Sequence, residues 1–243
     1  MLSSVRKHDS ANFTGLAKNN VLPDSDVAAV GLLVFPCSNH YEFLHQFAES
    51  LGNTVDARDS QTYNHSCEVA EVSYLLARAM GLTSAQAEAV HIAGHLHDIG
   101  KIGIPDSVLK KEGPLDADDW RWIKTHPEIG AKIVEPVQAF SGAGGIAEII
   151  NSHHERYDGS GYPNCLMGDE IPLGARIIAV ADTLSALLQD RPYRRGTSFE
   201  AAVGEIIRCS ATQFDPAVVK ALREIQLSIG KYYLRKHFYP GHY

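Results

Sequence analysis

The sequence predicts an all-α fold. Apolar residues recur at intervals of three and four positions in several segments, as at Val69, Val72 and Leu76, which places them on one face of a helix. Start signals precede such segments. Thr83 with Gln86 fits a capping box, in which side chains and backbone N–H groups of the first helical turn bond reciprocally. With 243 residues and 44% hydrophobic content, the chain is long enough to bury a helical core.

The predicted helices follow one another along most of the chain. Polar residues indicate helix starts, as at Asp116 and at Thr197, which has Glu200 three positions later, and glycine indicates an end at Gly81. Residues 27–35 form a short apolar run that fits a strand or a buried helical segment, because periodicity does not separate the two. We expect helices over residues 41–51, 59–80, 83–98, 116–126, 127–137, 146–154, 174–188, 197–209 and 215–225.

An imidazole, a carboxylate and an ammonium group lie within the stretch His97-Asp98-Ile99-Gly100-Lys101. On a helix, the neighbours His97 and Asp98 point about 100° apart, so one ion does not easily take both as independent ligands. A carboxylate beside a histidine ligand can instead bridge two ions. A His-Asp pair alone is a weak indication of a metal site, so further ligands must come from elsewhere in the chain.

Other candidate donors are spread along the sequence. Each histidine alone fits a helix surface or a core position, and a buried aspartate in an apolar helix needs a metal or an arginine as its partner. Together with His97 and Asp98, the set holds five histidines and two aspartates. Such donors suit iron, manganese, zinc or nickel better than calcium or an all-oxygen magnesium site. The further donors are His65, His126, the adjacent pair His153 and His154, and Asp182.

A dense series of short motifs runs through residues 97–194. The motifs are His97-Asp98-Ile99-Gly100-Lys101, Ile104-Pro105-Asp106, His126-Pro127, His153-His154-Glu155, Asp158-Gly159, Gly161-Tyr162-Pro163, Ala181-Asp182 and Arg191-Pro192-Tyr193-Arg194. In order and spacing, residues 58–225 resemble the HD-GYP domain. That family consists of all-helical, metal-dependent phosphodiesterases that hydrolyse the bacterial second messenger cyclic di-GMP.

The resemblance implies an HD-domain helical bundle over residues 58–226. It leaves an N-terminal extension of uncertain structure with a lead-in helix over 1–57 and a basic, aromatic tail over 227–243. Two divalent ions are implied, iron or manganese first, with zinc, nickel and magnesium as alternatives. One ion is assigned to His65, His97 and Asp182, the other to His126, His153 and His154, with Asp98 bridging the two. The positions that face the substrate in the family correspond to Lys101, Gly161, Tyr162, Arg191 and Arg194.

The implied reaction is hydrolysis of cyclic di-GMP to linear pGpG, or onward to GMP. Two neighbouring ions would activate a bridging hydroxide for attack on phosphorus. Asp98 and Lys101 are the implied catalytic residues, since Asp98 joins the ions and Lys101 adds positive charge at the phosphate or assists the departing ribose oxygen. Arg191 and Arg194 would clamp the phosphate with paired N–H donors, and Tyr162 would stack on the ligand or hydrogen-bond to it.

Two positions depart from the family pattern. Gln61 stands where some members have a glutamate that helps to hold a third ion, which favours a two-metal site here. Ser185 stands where the common pattern has an aspartate. Two alternatives therefore stay open: a receptor that binds cyclic di-GMP without cleaving it, and an HD-type hydrolase of another nucleotide, including another cyclic dinucleotide.

The composition restricts location and partners. A formal net charge of -7 argues against a nucleic-acid duplex as ligand, whereas cationic residues near the motifs suit a small phosphate ligand. Scattered cysteines and an N-terminus without an apolar stretch predict a cytoplasmic protein with reduced thiols. The longest apolar run, residues 27–35, is far shorter than the roughly 20 residues of a membrane span. A GGDEF-type or other signalling protein and a second copy of the chain are candidate protein partners.

Two further histidines, His91 and His95, lie four positions apart on one predicted helix and could bind a metal together. Neither corresponds to a ligand of the family. His40 and His45 are expected at the surface rather than in a metal site. The sequence thus does not favour these four histidines as metal ligands.

Overall fold

The computed structural model describes residues 40–59, 64–190 and 195–238. Residues 27–35, Gln61, Arg191, Arg194 and the end of the tail after residue 238 lie outside this part of the chain. The all-α prediction is confirmed, because the described residues form ten α-helices and no strand. None of these helices combines the length and the apolar run that crossing a bilayer requires. The helices are α1 (His40–Arg58), α2 (His65–Ala79), α3 (Ser84–Leu96), α4 (Asp106–Leu109), α5 (Ala117–Ile123), α6 (His126–Val134), α7 (Ile146–Ser152), α8 (Leu173–Leu188), α9 (Phe199–Arg208) and α10 (Pro216–Phe238).

The hydrophobic core lies between the long helices. Their apolar faces are the ones that the sequence periodicity predicts. α2 packs against α3 and α8, α7 covers α3 and α8, and α10 packs on α2. Leu76, Leu96, Ile177 and Leu184 are almost completely buried there. Burial of each such side chain contributes about 1.5–3 kcal/mol to folding, so this packing fixes where the helix ends lie.

The start of α2 differs from the prediction. A single helix from residue 59 to 80 was expected, but α1 ends at Arg58 and α2 begins at His65. Asn64 adopts a left-handed backbone conformation with φ of 59°, which interrupts the helix, and asparagine tolerates that conformation better than most residues. Asp56 then accepts hydrogen bonds from the backbone N–H and the hydroxyl of Ser66 at 3.0 and 2.9 Å. His65 therefore lies at the first turn of α2 and not one to two turns inside it.

Other helix boundaries also differ from the prediction. α1 continues to Arg58, past the predicted end at residue 51, and the short helix α4 was not predicted. The capping box of Thr83 and Gln86 is present, but the one predicted at Thr197 is wrong. Ser198 caps α9 instead, because its hydroxyl accepts from the backbone N–H of Ala201 at 3.2 Å. α10 continues past the predicted end at residue 225, since Ile229 is still completely buried.

Candidate metal centre

The structure brings all seven predicted metal ligands into one region at the ends of four helices and along α8. They are His65 at the start of α2, His97 and Asp98 directly after α3, His126 at the start of α6, His153 and His154 directly after α7, and Asp182 within α8. Their ligand atoms form two groups, and within each group all atoms lie within 4.8 Å of one another. One group holds His65, His97 and Asp182, and the other holds Asp98, His126, His153 and His154. These seven residues are called the candidate metal centre below.

Asp98 lies between the two groups. Its Oδ2 atom is 3.3 Å from Nε2 of His97, in the first group, and its Oδ1 atom is 3.3 Å from Nε2 of His126, in the second. The carboxylate is buried, with its residue 5% exposed. One oxygen thus faces each group, which is the arrangement that a bridging carboxylate requires.

Hydrogen bonds orient three of the imidazole rings in the same way. The Nδ1–H groups of His97, His126 and His153 donate to the backbone carbonyl three residues earlier, at 2.7, 2.7 and 2.6 Å. This bond assigns the proton to Nδ1 and leaves Nε2 with a lone pair for a metal. Nε2 of His126 and Nε2 of His153 lie only 3.3 Å apart. Two lone pairs at that distance repel each other unless a cation lies between them, so this donor set fits a metal ion.

Burial and neighbouring charges determine the protonation of the donors. Burial lowers the pKa of His126 to about 3, despite the Asp98 carboxylate, and lowers the pKa of His153 well below its usual value. Burial alone would raise the pKa of Asp98, but the charges of Lys101 and His97 lower it well below its usual range. His126 and His153 are therefore neutral beside an ionised Asp98, which is the form of these three groups that binds metal.

His97 differs from the other two rings. Burial opposes its charged form, but the Asp98 carboxylate outweighs burial and raises the pKa of His97 to about 9. Asp182 is the second acidic residue of the centre. Burial would raise its pKa, but the hydrogen bond and the charge of His65 outweigh burial and lower the pKa of Asp182. A metal ion bound at Nε2 of His97 would displace the proton that these carboxylates hold there.

Ser185 orients the His65 ring through a hydrogen bond to Nδ1, the nitrogen that faces away from Asp182. Its hydroxyl accepts from Nδ1–H of His65 at 2.9 Å and donates to Oε2 of Glu68 at 2.6 Å. Nε2 of His65 is thereby directed to Oδ1 of Asp182 at 3.1 Å. At the position where the family pattern has an aspartate, the Ser185 hydroxyl thus supplies the acceptor for His65, and the buried Glu68 carboxyl group accepts in turn from that hydroxyl. Sequence reasoning missed Glu68, because it lies 117 residues from Ser185.

Lys101 contacts the centre through Asp98. Its Nζ atom donates to Oδ2 of Asp98 at 2.8 Å and to Oδ2 of Asp59 at 3.0 Å. Burial opposes the ammonium charge, but both carboxylates raise the pKa of Lys101, so it is charged. The role of Asp59 was missed, because its position suggested a helix start. Arg58 further holds this segment by donating to the carbonyls of Lys101 and Ile104 at 2.6 and 2.7 Å.

The loop after α7 places Tyr162 against the candidate metal centre. The Tyr162 ring stacks on His154, with 4.9 Å between ring centroids and 30° between planes. Glu155 anchors the loop, since its carboxylate accepts from the backbone N–H groups of Asn164 and Leu166 at 2.6 and 3.2 Å. A Cβ at Gly161 would lie 2.3 Å from the backbone nitrogen of Arg156, so only glycine fits there. Close packing within the loop is therefore sufficient to require glycine at position 161, whether or not a ligand binds nearby.

Known proteins that are similar to this chain belong to one family. A family model described as HD domain matches residues 49–218. The cyclic di-GMP phosphodiesterase response regulator RpfG of Xanthomonas campestris pv. campestris is 42% identical over 173 residues, which are 71% of this chain and 45% of that protein. The 3'3'-cGAMP-specific phosphodiesterase 2 of Vibrio cholerae is 39% identical over 176 residues, which are 72% of this chain and 33% of that protein. The chain spans less than half the length of these two relatives.

A solved structure confirms the architecture. The crystal structure of the cyclic GMP-AMP specific phosphodiesterase V-cGAP3 of V. cholerae superposes with a TM-score of 0.61 at 21% sequence identity, covering 79% of this chain and 50% of that one. At this identity the likeness concerns the fold alone. The family model, the helical architecture and the His-Asp motif after α3 agree, and the chain belongs to the HD domain family.

Proposed function

We propose that this chain is a metal-dependent phosphodiesterase that hydrolyses cyclic di-GMP to linear pGpG. The observation that carries the proposal is the position of Asp98, whose two oxygens face two separate groups of metal-ligating side chains. Relatives at 42% and 39% identity are named as cyclic di-GMP and 3'3'-cGAMP phosphodiesterases, which supports the reaction class. Onward cleavage to GMP is a second product to be measured.

We assign two divalent ions to the centre, iron or manganese, with zinc, nickel and magnesium as alternatives. His65, His97 and Asp182 would hold one, His126, His153 and His154 the other, and Asp98 would contact both. When bound, such a pair supplies activation of water and neutralisation of charge on the phosphate. The nitrogen-rich donor set favours transition metals over calcium.

The surrounding residues would bind and orient the ligand. Tyr162 covers one side of the centre, where its ring offers a stacking surface for a guanine base. Lys101 keeps Asp98 ionised and adds positive charge beside it. Gly161 positions the loop that carries Tyr162. Arg191 and Arg194 stay predicted phosphate contacts, since they lie outside the described residues.

Replacing Lys101 with methionine is expected to lower turnover of cyclic di-GMP by about 100-fold, a magnitude typical for loss of one charged group at a developing charge. The ammonium group is in contact with Asp98 and Asp59, so its removal leaves two buried carboxylates repelling each other. Steady-state kinetics on the metal-loaded protein measures the effect. Lys110→Met removes an exposed lysine that pairs with Asp106 and serves as the control. Equal turnover in Lys101→Met and Lys110→Met would show that Lys101 has no role in catalysis.

Replacing Ser185 with alanine is expected to weaken metal binding by about 10- to 100-fold, as loss of a partner behind a histidine ligand commonly does. His65 would lose the acceptor that fixes its ring and tautomer. Titration against a competing chelator measures the affinity. Ser141→Ala provides the control, since that exposed hydroxyl donates only to the carbonyl of Glu135. An unchanged affinity in Ser185→Ala would show that the hydroxyl does not orient His65.

The direct test measures metal content by mass spectrometry on protein purified without oxygen, together with hydrolysis of cyclic di-GMP and 3'3'-cGAMP by the same sample. Two ions per chain with turnover of cyclic di-GMP support the proposal. Faster turnover of 3'3'-cGAMP would assign the other substrate, which the 39% identical relative makes a specific alternative. Tight binding of cyclic di-GMP without turnover of either substrate would identify a receptor.

Cys165 and Cys209 form no disulfide in the described part of the chain, which supports our proposal that the protein acts in the reducing cytoplasm. Cyclic di-GMP is the proposed small-molecule partner, and the acidic chain gives no support for a nucleic-acid duplex. A signalling protein of the GGDEF type and a second copy of the chain stay predictions as protein partners.

A further inference from the structure

A second histidine cluster lies outside the candidate metal centre. It consists of His45 on α1 with His91 and His95 on α3, and it is called the α1–α3 histidine cluster here. We propose that this cluster is a structural metal site for a divalent transition ion, zinc in the first place, that ties the lead-in helix α1 to the core helix α3.

The geometry places one ring nitrogen of each histidine within 4.8 Å of the other two. The three rings form a compact triangle, with centroid distances of 4.7 Å from His45 to His91, 5.1 Å from His45 to His95 and 5.0 Å from His91 to His95. His91 and His95 are four residues apart, so both project from the same face of α3. The prediction that His45 is a surface residue is corrected, because α1 packs on α3 and leaves this ring half-buried.

Unsatisfied nitrogens indicate what the cluster lacks. His95 is 3% exposed, and neither of its ring nitrogens has a hydrogen-bond partner among the described residues. Nε2 of His45 and Nε2 of His91 are also buried without a hydrogen bond to the described residues. A buried polar atom without a partner costs about 1–3 kcal/mol, so several in one place are unusual unless a ligand satisfies them.

A carboxylate lies beside one of the three rings. Oε1 of Glu71, on α2, lies 3.6 Å from Nε2 of His91, and the Glu71 side chain is 46% exposed. Zinc commonly takes four ligands in a tetrahedron, and three imidazoles with a carboxylate or a water match its preferences. Glu71 or a water molecule would complete the tetrahedron, and the partly exposed Glu71 carboxylate connects His91 to the solvent.

We expect the role to be structural, because the cluster joins α1 to α3. α1 continues from His45 to Arg58, whose guanidinium binds the carbonyls of Lys101 and Ile104, and Asp59 directly follows. A metal ion bound by His45 would therefore fix α1 in place. The C-terminal end of this helix carries Arg58 and leads to Asp59, and both residues contact Lys101. Joining positions 45 and 91 also closes a long loop of the chain, which restricts the unfolded state.

The test follows zinc binding by the full chain in the Asp98→Asn background, which weakens the candidate metal centre. The free zinc concentration is set by a competing chromogenic chelator. We expect one zinc ion to bind to the Asp98→Asn chain, and His45→Gln or His91→Gln added to it to weaken that binding at least about tenfold, consistent with loss of one ligand. Gln46→Ala, an exposed neighbour on α1, serves as the matched control and is expected to leave the affinity unchanged.

Two further readouts decide the remaining outcomes. With Asp98 intact, His45→Gln is expected to retain cyclic di-GMP turnover while showing a smaller zinc-induced rise in melting temperature than the parent chain. Unchanged zinc affinity in both glutamine variants, with the circular dichroism of the parent chain, would overturn the proposal. If both variants fail to fold, X-ray absorption of zinc bound to the Asp98→Asn chain counts the imidazole ligands, and fewer than two would overturn it as well. If the protein binds zinc at this cluster but does not hydrolyse cyclic di-GMP, the proposed function is rejected and the proposed structural metal site stands.

Discussion

Asp98→Asn is expected to reduce hydrolysis of cyclic di-GMP by about 1,000-fold or more, the upper range for removal of one group that stabilises a transition state. Asparagine preserves the shape of the side chain but loses the negative charge that both groups of ligands share through Oδ1 and Oδ2. Fewer metal ions per chain should accompany the loss. Mass spectrometry of metals and kinetics on the same sample measure both effects.

The matched control for this experiment is Asp118→Asn. Asp118 is an exposed aspartate on α5 that pairs only with the exposed Arg121 among the ion pairs of the described residues, so its neutralisation changes the net charge equally without touching the centre. A fully active Asp98→Asn protein with its normal metal content would disprove the bridging role. Activity lost without metal loss would limit Asp98 to a catalytic role.

Gly100→Ala is expected to lower the free energy of unfolding by about 3 kcal/mol or more, at the upper end of overpacking effects. A Cβ on Gly100 would lie 1.8 Å from the backbone oxygen of His126 and 2.5 Å from the backbone nitrogen of Gly130. Neither atom can move without displacing α6, the helix that carries His126. Urea unfolding followed by circular dichroism measures the loss, and metal affinity should fall with it.

Gly204→Ala provides the control for the glycine experiment. Gly204 lies within α9, and an added Cβ would meet nothing within 4 Å. Alanine is favoured over glycine in a helix by about 1 kcal/mol, so this change is expected to stabilise the protein slightly. Equal stability of Gly100→Ala and the parent chain would mean that α6 shifts at little cost and that the close approach is not required.

Local patterns predicted much of the fold and of the ligand set. Helix periodicity and the Thr83 capping box depend on neighbours in sequence, so both could be recognised without the structure. The family resemblance that the motifs around His97 and His153 carry implied which residues meet, and the structure places all seven candidate ligands together.

Features that depend on distant parts of the chain could not be predicted in the same way. Glu68 reaches His65 only through Ser185 on another helix, and Asp59 pairs with Lys101 across 42 positions. His45 joins His91 and His95 only because α1 packs on α3. The start of α2 at His65 depends on the left-handed conformation of Asn64, which the apolar periodicity of α2 does not reveal.

Three ligand rings are tied by Nδ1–H to a carbonyl of their own chain three residues earlier. Their orientation is therefore settled during folding, and little side-chain entropy remains to be lost when an ion binds. The spacing between the ligands becomes a property of helix packing, so substitutions in the distant core can tune metal choice without changing any ligand.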